Sequence, residues 1–200
     1  MSTEFGQVIV FTGEGKGKTS AALGTVIRAL GNGWRVGWVG LYKEKSWKMS
    51  ESEFFASLPS EFRNRCEFIL AGKGFYIASA GKKNSKLKTA PVNDQVVIDD
   101  DSPETHQKAA QHALEIVEEM LKHGDKQLIV VDEVWNAVHD QLISLQSVIS
   151  LIQNRKQTHL VLTGRYFPQE IIDQVDVVTE MKKVKHPFDQ GKNAIKGLDF

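Results

Sequence analysis

One cysteine, Cys66, stands among 200 residues, so no internal disulfide forms within the chain, and a reducing cytoplasm fits that usage. No apolar stretch is long enough to span a bilayer, and no signal-peptide pattern is read in the sequence. An excess of one charge is also missing. The 25 basic and 25 acidic residues cancel, which leaves no global field to draw the chain to nucleic acid or to a membrane surface. No internal repeat appears. Cys66 has no motif around it and reads as a small core residue, not as a nucleophile. What remains is one α/β domain over residues 1–200, with enough chain for a substantial core.

Apolar runs and helical periodicities alternate along that chain. Strands are expected at Val8–Phe11, Arg35–Tyr42, Glu67–Ala71, Leu128–Val131, Leu160–Thr163 and Val177–Met181. Between them, helices are expected after Ser20, over Ser50–Leu58, from Ser102 to Gly124, over Gln141–Gln153 and over Pro168–Gln174. The Ser102 helix carries its own start signal, with Ser102 as N-cap and Pro103 in the first position. Its apolar stripe is Ala109, Ala113, Ile116, Val117, Met120 and Leu121. Residues 72–103 have few apolar positions and a lysine cluster (Lys82, Lys83, Lys86, Lys88), which reads as a long inserted loop or small hairpin with a solvated face. Strand–helix alternation predicts a mostly parallel sheet with helices on both faces, whose ligands sit at the carboxyl ends of the strands.

At the end of the first strand stands Thr12-Gly13-Glu14-Gly15-Lys16-Gly17-Lys18-Thr19-Ser20. Strand, glycine-rich loop and helix together make a phosphate site. Glycines let successive N–H groups turn inward, and the helix N-terminus adds positive charge. Lys18 is placed to reach the terminal phosphates and Thr19 to complete a Mg²⁺ shell. Thr12 occupies the position where the motif has its first glycine, and Gly13 beside it makes this a shifted loop. A second motif, Leu128-Ile129-Val130-Val131-Asp132-Glu133, carries two acids to the same sheet edge, one of them to help hold Mg²⁺ directly or through water. Leu160-Val161-Leu162-Thr163-Gly164-Arg165 brings a guanidinium to a third strand end, either as a phosphate clamp or as a surface arginine. The fold expected from these motifs is the three-layer P-loop NTPase fold of RecA-like type.

Other residues carry less. His106, His112 and His123 lack metal-ligand spacing and read as the polar face of the Ser102 helix. Trp34 and Trp38 read as packing residues, and Trp47 lies in a segment loose enough to line a pocket.

The chain closes with Val184-Lys185-His186-Pro187-Phe188-Asp189-Gln190-Gly191. That tail, the phosphate loop, Val-Val-Asp-Glu and Leu-Thr-Gly-Arg resemble, in order and spacing, the P-loop ATP:corrinoid adenosyltransferases, also called cob(I)yrinic acid a,c-diamide adenosyltransferases. The resemblance covers about residues 5–42 and 104–200. It implies transfer of the 5′-deoxyadenosyl group of ATP to the Co(I) centre of a corrinoid such as cobalamin, cobinamide or cobyrinic acid diamide, with triphosphate leaving intact. ATP, Mg²⁺ and an electron-donor reductase are implied with it, as is a homodimer. Carried onto this chain, Gly13, Glu14, Gly15, Lys16, Gly17, Lys18, Thr19, Ser20 and Arg165 would hold ATP. Glu133 with Thr19 would hold Mg²⁺, joined by Asp132 beside it, and Lys18, Thr19 and Glu133 would serve the reaction.

Departures from the family fall on the corrinoid side. Where the family has Gly-Phe-Thr-Trp, this chain has Gly74-Phe75-Tyr76-Ile77, keeping Phe75 to displace the lower cobalt ligand and losing the tryptophan. Residues 78–101 read as an insertion, Asn136 stands at a tyrosine position, and the phosphate loop begins too early for the family's corrinoid-covering arm. Two alternatives stay open on sequence alone: a P-loop ATPase or small-molecule kinase with Glu133 as base, and a non-catalytic nucleotide or corrinoid carrier.

Overall fold

A computed structural model describes residues 5–44, 49–74, 89–92, 95–98, 101–191, 195 and 197–198, with the side chains of 89–98 and 188 outside the description. Phe75, Tyr76, Ile77, Trp47 and the 82–88 lysine cluster all lie outside the described residues.

Six strands form one sheet: β1 (Val8–Thr12), β2 (Val36–Gly40), β3 (Cys66–Leu70), then β6 (Leu128–Asp132), β7 (His159–Thr163) and β8 (Val177–Glu180). A separate antiparallel pair, β4 (Thr89–Val92) and β5 (Gln95–Ile98), stands within residues 72–103. The large sheet has the order β3-β2-β6-β7-β1-β8. Every pairing in it is parallel, not merely most of them. β2 and β6 are buried at every position, because helices cover both faces. This is the three-layer P-loop NTPase arrangement of RecA-like type.

One face packs α1 (Lys18–Gly31) on Val36, Trp38, Leu128, Val130 and Val161, with Phe55 of α2 (Ser50–Ser57) joining at the side. A short α3 (Ser60–Arg63) leads into β3. The opposite face packs α4 (Pro103–His123), α5 (Val134–His139) and α6 (Leu145–Asn154) on Val39, Ile129, Val131, Leu160 and Leu162. Ser102 caps α4 by accepting from the Thr105 N–H, and Gly124 ends it in a left-handed conformation.

Several elements differ from the periodicity reading. The α4 stripe runs through His106, Ala110, Ala113, Leu114, Val117, Met120 and Leu121, so Ala109 and Ile116 flank it. His106 is therefore a buried residue and not part of the polar face, whereas His112 is exposed beside Glu115. The helix expected at Gln141–Gln153 is α6 alone, which starts later, at Leu145, with Ser144 as its cap. α5 precedes it as a helix not expected from the periodicity, and Gln141 at φ 59 lies between the two. Residues Gln169–Gln174 form a 3-10 helix. Cys66 is half-buried at the start of β3, and burial together with Glu67 pushes its thiol up to about 11. Trp38 is fully buried, and Trp34 stacks on His159 with 5.2 Å between ring centroids.

Candidate nucleotide site

Parallel strands deliver their carboxyl ends to one edge, and three of those ends carry the motifs. Gly40 of β2 pairs with Asp132 of β6, Val131 with Leu162, and Phe11 of β1 with Thr163. Chain positions more than a hundred residues apart thereby reach one place.

Thr12 is the last residue of β1, and its hydroxyl accepts from the Phe167 N–H at 3.4 Å. The loop proper begins at Gly13, with φ 97. A Cβ there would stand 2.5 Å from the Met181 carbonyl, so both the backbone conformation and the space require glycine. Met181 fastens this turn from both sides, donating its N–H to Thr12 O at 2.8 Å and accepting from the Gly15 N–H at 2.6 Å. Gly17 leads into the N-terminus of α1. Lys18 Nζ donates to the loop carbonyls of Gly13 and Gly15 at 2.7 and 2.8 Å. Burial, then nearby Arg165, lowers its ammonium below the usual lysine range. Lys16 in the loop and Ser20 in the first turn of α1 are exposed.

Asp132 is fully buried and densely bonded. Its Oδ1 accepts from Thr19 Oγ1 at 3.1 Å and from Thr163 Oγ1 at 2.6 Å. Its Oδ2 accepts from Lys43 Nζ at 3.2 Å, and the same ammonium donates to Glu51 Oε1 at 3.1 Å. Burial acts to lower the Lys43 ammonium, but Asp132, Glu133 and Glu51 together hold it above the lysine range, so it stays charged. Glu133 follows at φ 64, a left-handed turn that separates the two neighbouring acids. Its N–H donates to Thr163 Oγ1 at 2.9 Å, so that hydroxyl both accepts and donates. The Glu133 carboxyl is pushed up to about 7, first by burial and then by Asp132, against the pull of Lys43, Lys18 and Arg165.

Gly164 passes so close to α5 that a Cβ would lie 2.8 Å from both Cβ and N of Trp135. This contact turns the chain out at Arg165, whose N–H donates to Asn136 Oδ1 and whose guanidinium donates to Glu14 Oε2, both at 2.8 Å. Glu14 and Arg165 thus bridge the phosphate loop and the end of β7 as an exposed pair.

The structure brings together Glu14, Lys18, Thr19, Asp132, Glu133 and Arg165, as the motifs implied. Motif reading missed Lys43, Glu51 and Thr163 as members of the cluster. Thr163 was within reach, since it lies in the quoted Leu-Thr-Gly-Arg strand, but Lys43 and Glu51 carry no local signal. Apart from this cluster, His139 and Tyr166 stack with ring centroids 3.9 Å apart and line a cleft of about 950 Å³.

The family description "ATP:corrinoid adenosyltransferase BtuR/CobO/CobP" matches residues 4–200. The chain belongs to this family. It is 32% identical over 198 residues to a corrinoid adenosyltransferase of Pseudomonas aeruginosa, covering 98% of this chain and 85% of that one. It is also 33% identical over 199 residues to corrinoid adenosyltransferase CobA of Salmonella typhimurium, with 98% and 87% covered. A corrinoid adenosyltransferase of Escherichia coli K12 shares 31% over 198 residues, again with 98% and 87% covered. Among solved structures, flagellar accessory protein FlaH from Methanocaldococcus jannaschii is similar in fold at a TM-score of 0.51. That likeness covers 88% of this chain and 70% of FlaH at 9% identity, and it concerns the fold alone.

Proposed function

We propose that this chain transfers the 5′-deoxyadenosyl group of ATP to the Co(I) centre of a corrinoid, releasing adenosylcobamide and inorganic triphosphate. The observation that carries the reading is the full-length family match on a chain whose phosphate loop, Asp-Glu strand and Arg165 meet at one sheet edge. In the reaction the cobalt electron pair forms the Co–C5′ bond, the C5′–O bond breaks, and its electrons leave on the triphosphate. The nucleophile belongs to the corrinoid, so the protein needs no activated serine or cysteine. Its work is to hold C5′ in line and to offset the charge growing on the leaving group.

Gly13, Glu14, Gly15, Lys16, Gly17, Lys18, Thr19 and Ser20 are assigned to the triphosphate, the loop by its backbone N–H groups and Lys18 by its ammonium. Arg165 adds a second cation once its guanidinium turns from Glu14 to phosphate oxygen. The oxygen-only donor set of Thr19 and Glu133 suits Mg²⁺, a hard ion that takes its remaining ligands from phosphate and water. Among the described residues no group of three or more His, Cys, Asp or Glu side chains is arranged to hold a metal without such help. Bound there, Mg²⁺ would neutralise charge on the leaving triphosphate. Asp132 belongs to the same site through Thr19, whose hydroxyl it accepts. Phe75 is assigned to the corrinoid, with a cobalamin, cobinamide or cobyrinic acid diamide as substrate.

Further parts of the reading are a cytoplasmic homodimer served by an electron-donor reductase, and a single nucleotide-binding domain over 1–200 with an insertion at about 72–103. Among the described residues no helix is long and apolar enough to cross a membrane. The deciding test is anaerobic incubation with ATP, Mg²⁺ and chemically reduced cobalamin, with corrinoid and phosphate products separated by chromatography. Adenosylcobalamin with intact triphosphate is the expected result. ADP with unreacted corrinoid would overturn the proposal in favour of a phosphoryl-transfer enzyme.

A further inference from the structure

We infer that Lys43 is a positioning residue that acts as a built-in cation, occupying Asp132 so that the divalent metal arrives only with the nucleotide and meets Glu133 and Thr19. The inference rests on the reading that the site binds a metal–nucleotide complex.

Lys43 is 8% exposed, and a lysine so deeply buried requires partners. Its backbone is held by the Gly72 N–H, which donates to Lys43 O at 3.1 Å, just past the β2–β3 pairing. One strand over, the Leu41 N–H donates to Asp132 O at 3.2 Å, fixing the route by which the side chain reaches this carboxylate. A carboxylate offers about four acceptor positions. On Asp132, Thr19 and Thr163 take Oδ1, while Lys43 and a longer 3.5 Å Thr19 contact face Oδ2. All of these partners are protein groups, and the carboxylate has no solvent-facing surface. Its neighbour Glu133 is turned away by the left-handed step between them and retains partial exposure.

Charge explains why the partner is a lysine. Asp132, Glu133 and Glu51 all act on the Lys43 ammonium, and without it the negative charge at this strand end would be left uncompensated and would favour a divalent ion. With Lys43 in place, the acid pair is partly neutralised before any ligand comes, and Asp132 is committed to orienting the Thr19 hydroxyl. The metal then depends on phosphate oxygens for much of its coordination. Glu51 serves as the outer anchor of the ammonium. Its Oε1 takes the lysine, and among the described residues its buried Oε2 has no hydrogen-bond partner.

The test is Mn²⁺ binding, followed by electron paramagnetic resonance, to the full chain with and without ATP. Unmodified protein is expected to bind Mn²⁺ at least about tenfold more tightly when ATP is present. Lys43→Met keeps the length of the side chain and removes the charge. It is expected to bind Mn²⁺ alone at least about tenfold more tightly than the unmodified protein, and to bind ATP more weakly. Glu51→Gln keeps Lys43 on Asp132 and is expected to lower the thermal transition while leaving Mn²⁺ binding without ATP as weak as before. That split is one a merely structural ion pair would not produce. A folded Lys43→Met chain with unchanged Mn²⁺ affinity would overturn the inference. Should that variant fail to fold, equal Mn²⁺ affinity of the unmodified protein with and without ATP would overturn it equally. Absence of any ATP binding would instead overturn the nucleotide reading on which it rests.

Discussion

The phosphate loop and the Asp132 cluster stand at the same sheet edge but are built in opposite ways. Nine consecutive residues, 12–20, carry the loop from the end of β1 into the first turn of α1, and its shape comes from backbone: glycine conformations, carbonyls facing Lys18, and the N-terminus of α1. Thr19, Lys43, Glu51, Asp132 and Thr163 make the cluster, and their separation along the chain reaches 144 positions (Thr19 to Thr163). Its shape comes from side chains that meet only because β2, β6 and β7 are neighbours in register. The loop is also partly open, while the cluster's central acid is sealed. The contrast teaches that a ligand-facing surface can be encoded locally, while its support is a product of topology.

The comparison has consequences for different observables. Asp132→Ala should act first on folding, because it strands the Lys43 ammonium and two hydroxyls in the interior. A loss of about 3–5 kcal/mol is expected for breaking a buried pair from one side, measurable by urea unfolding; wild-type stability would show the cluster to be dispensable support. Lys18→Ala belongs to the loop and should leave the unfolding midpoint nearly unchanged while cutting turnover by about 10²–10³-fold, the scale for one preorganised charge contact. If both variants behaved alike, the division between loop and support would fail.

Smaller effects sharpen it further. Arg165→Ala breaks an ion pair to Glu14 in which both side chains are about half exposed. Stability should change by less than about 1 kcal/mol, whereas ATP affinity measured by calorimetry should fall. An unchanged affinity would leave Arg165 as a surface residue. Away from the edge, Cys66 provides the mildest contrast. With its thiol raised from 9.0 to about 11, alkylation at pH 8 should be about a hundredfold slower than that of a free thiol. The folded state holds this proton more tightly than the unfolded chain does. Its contribution is therefore constant below pH 9 and is lost as pH rises toward 11. Rapid labelling at pH 8 would contradict the burial that raises it.

Much of the fold was legible because its signals are local. The six parallel strands are short apolar runs, α4 announces itself with Ser102, Pro103 and Gly124, and the glycine loop reads from its own spelling. Elements were misread where tertiary contact overrides periodicity. The segment after Asp132 continues as α5 because Glu133 adopts a left-handed turn and Trp135 buries against Phe167 at 5.2 Å, neither of which a polar Asp-Glu-Val-Trp-Asn spelling indicates. His106 reads as polar surface, yet α4 is rotated so that this residue lies on the buried side while Pro103 and Glu104 stay exposed.

By itself, then, the amino-acid order determined the α/β class, the phosphate loop and the acids and arginine at the strand ends, together with a family signature that the full-length match agrees with. These follow from short-range physics: glycine φ freedom, period-two and period-3.6 patterning, and the charge of named side chains. Only the tertiary structure decided that Asp132 is enclosed, that Lys43 and Glu51 stand beside it, and that Glu133 is the more open of the two acids. Those facts depend on strand order and register, and no local pattern specifies which distant residues a parallel sheet will bring to one edge.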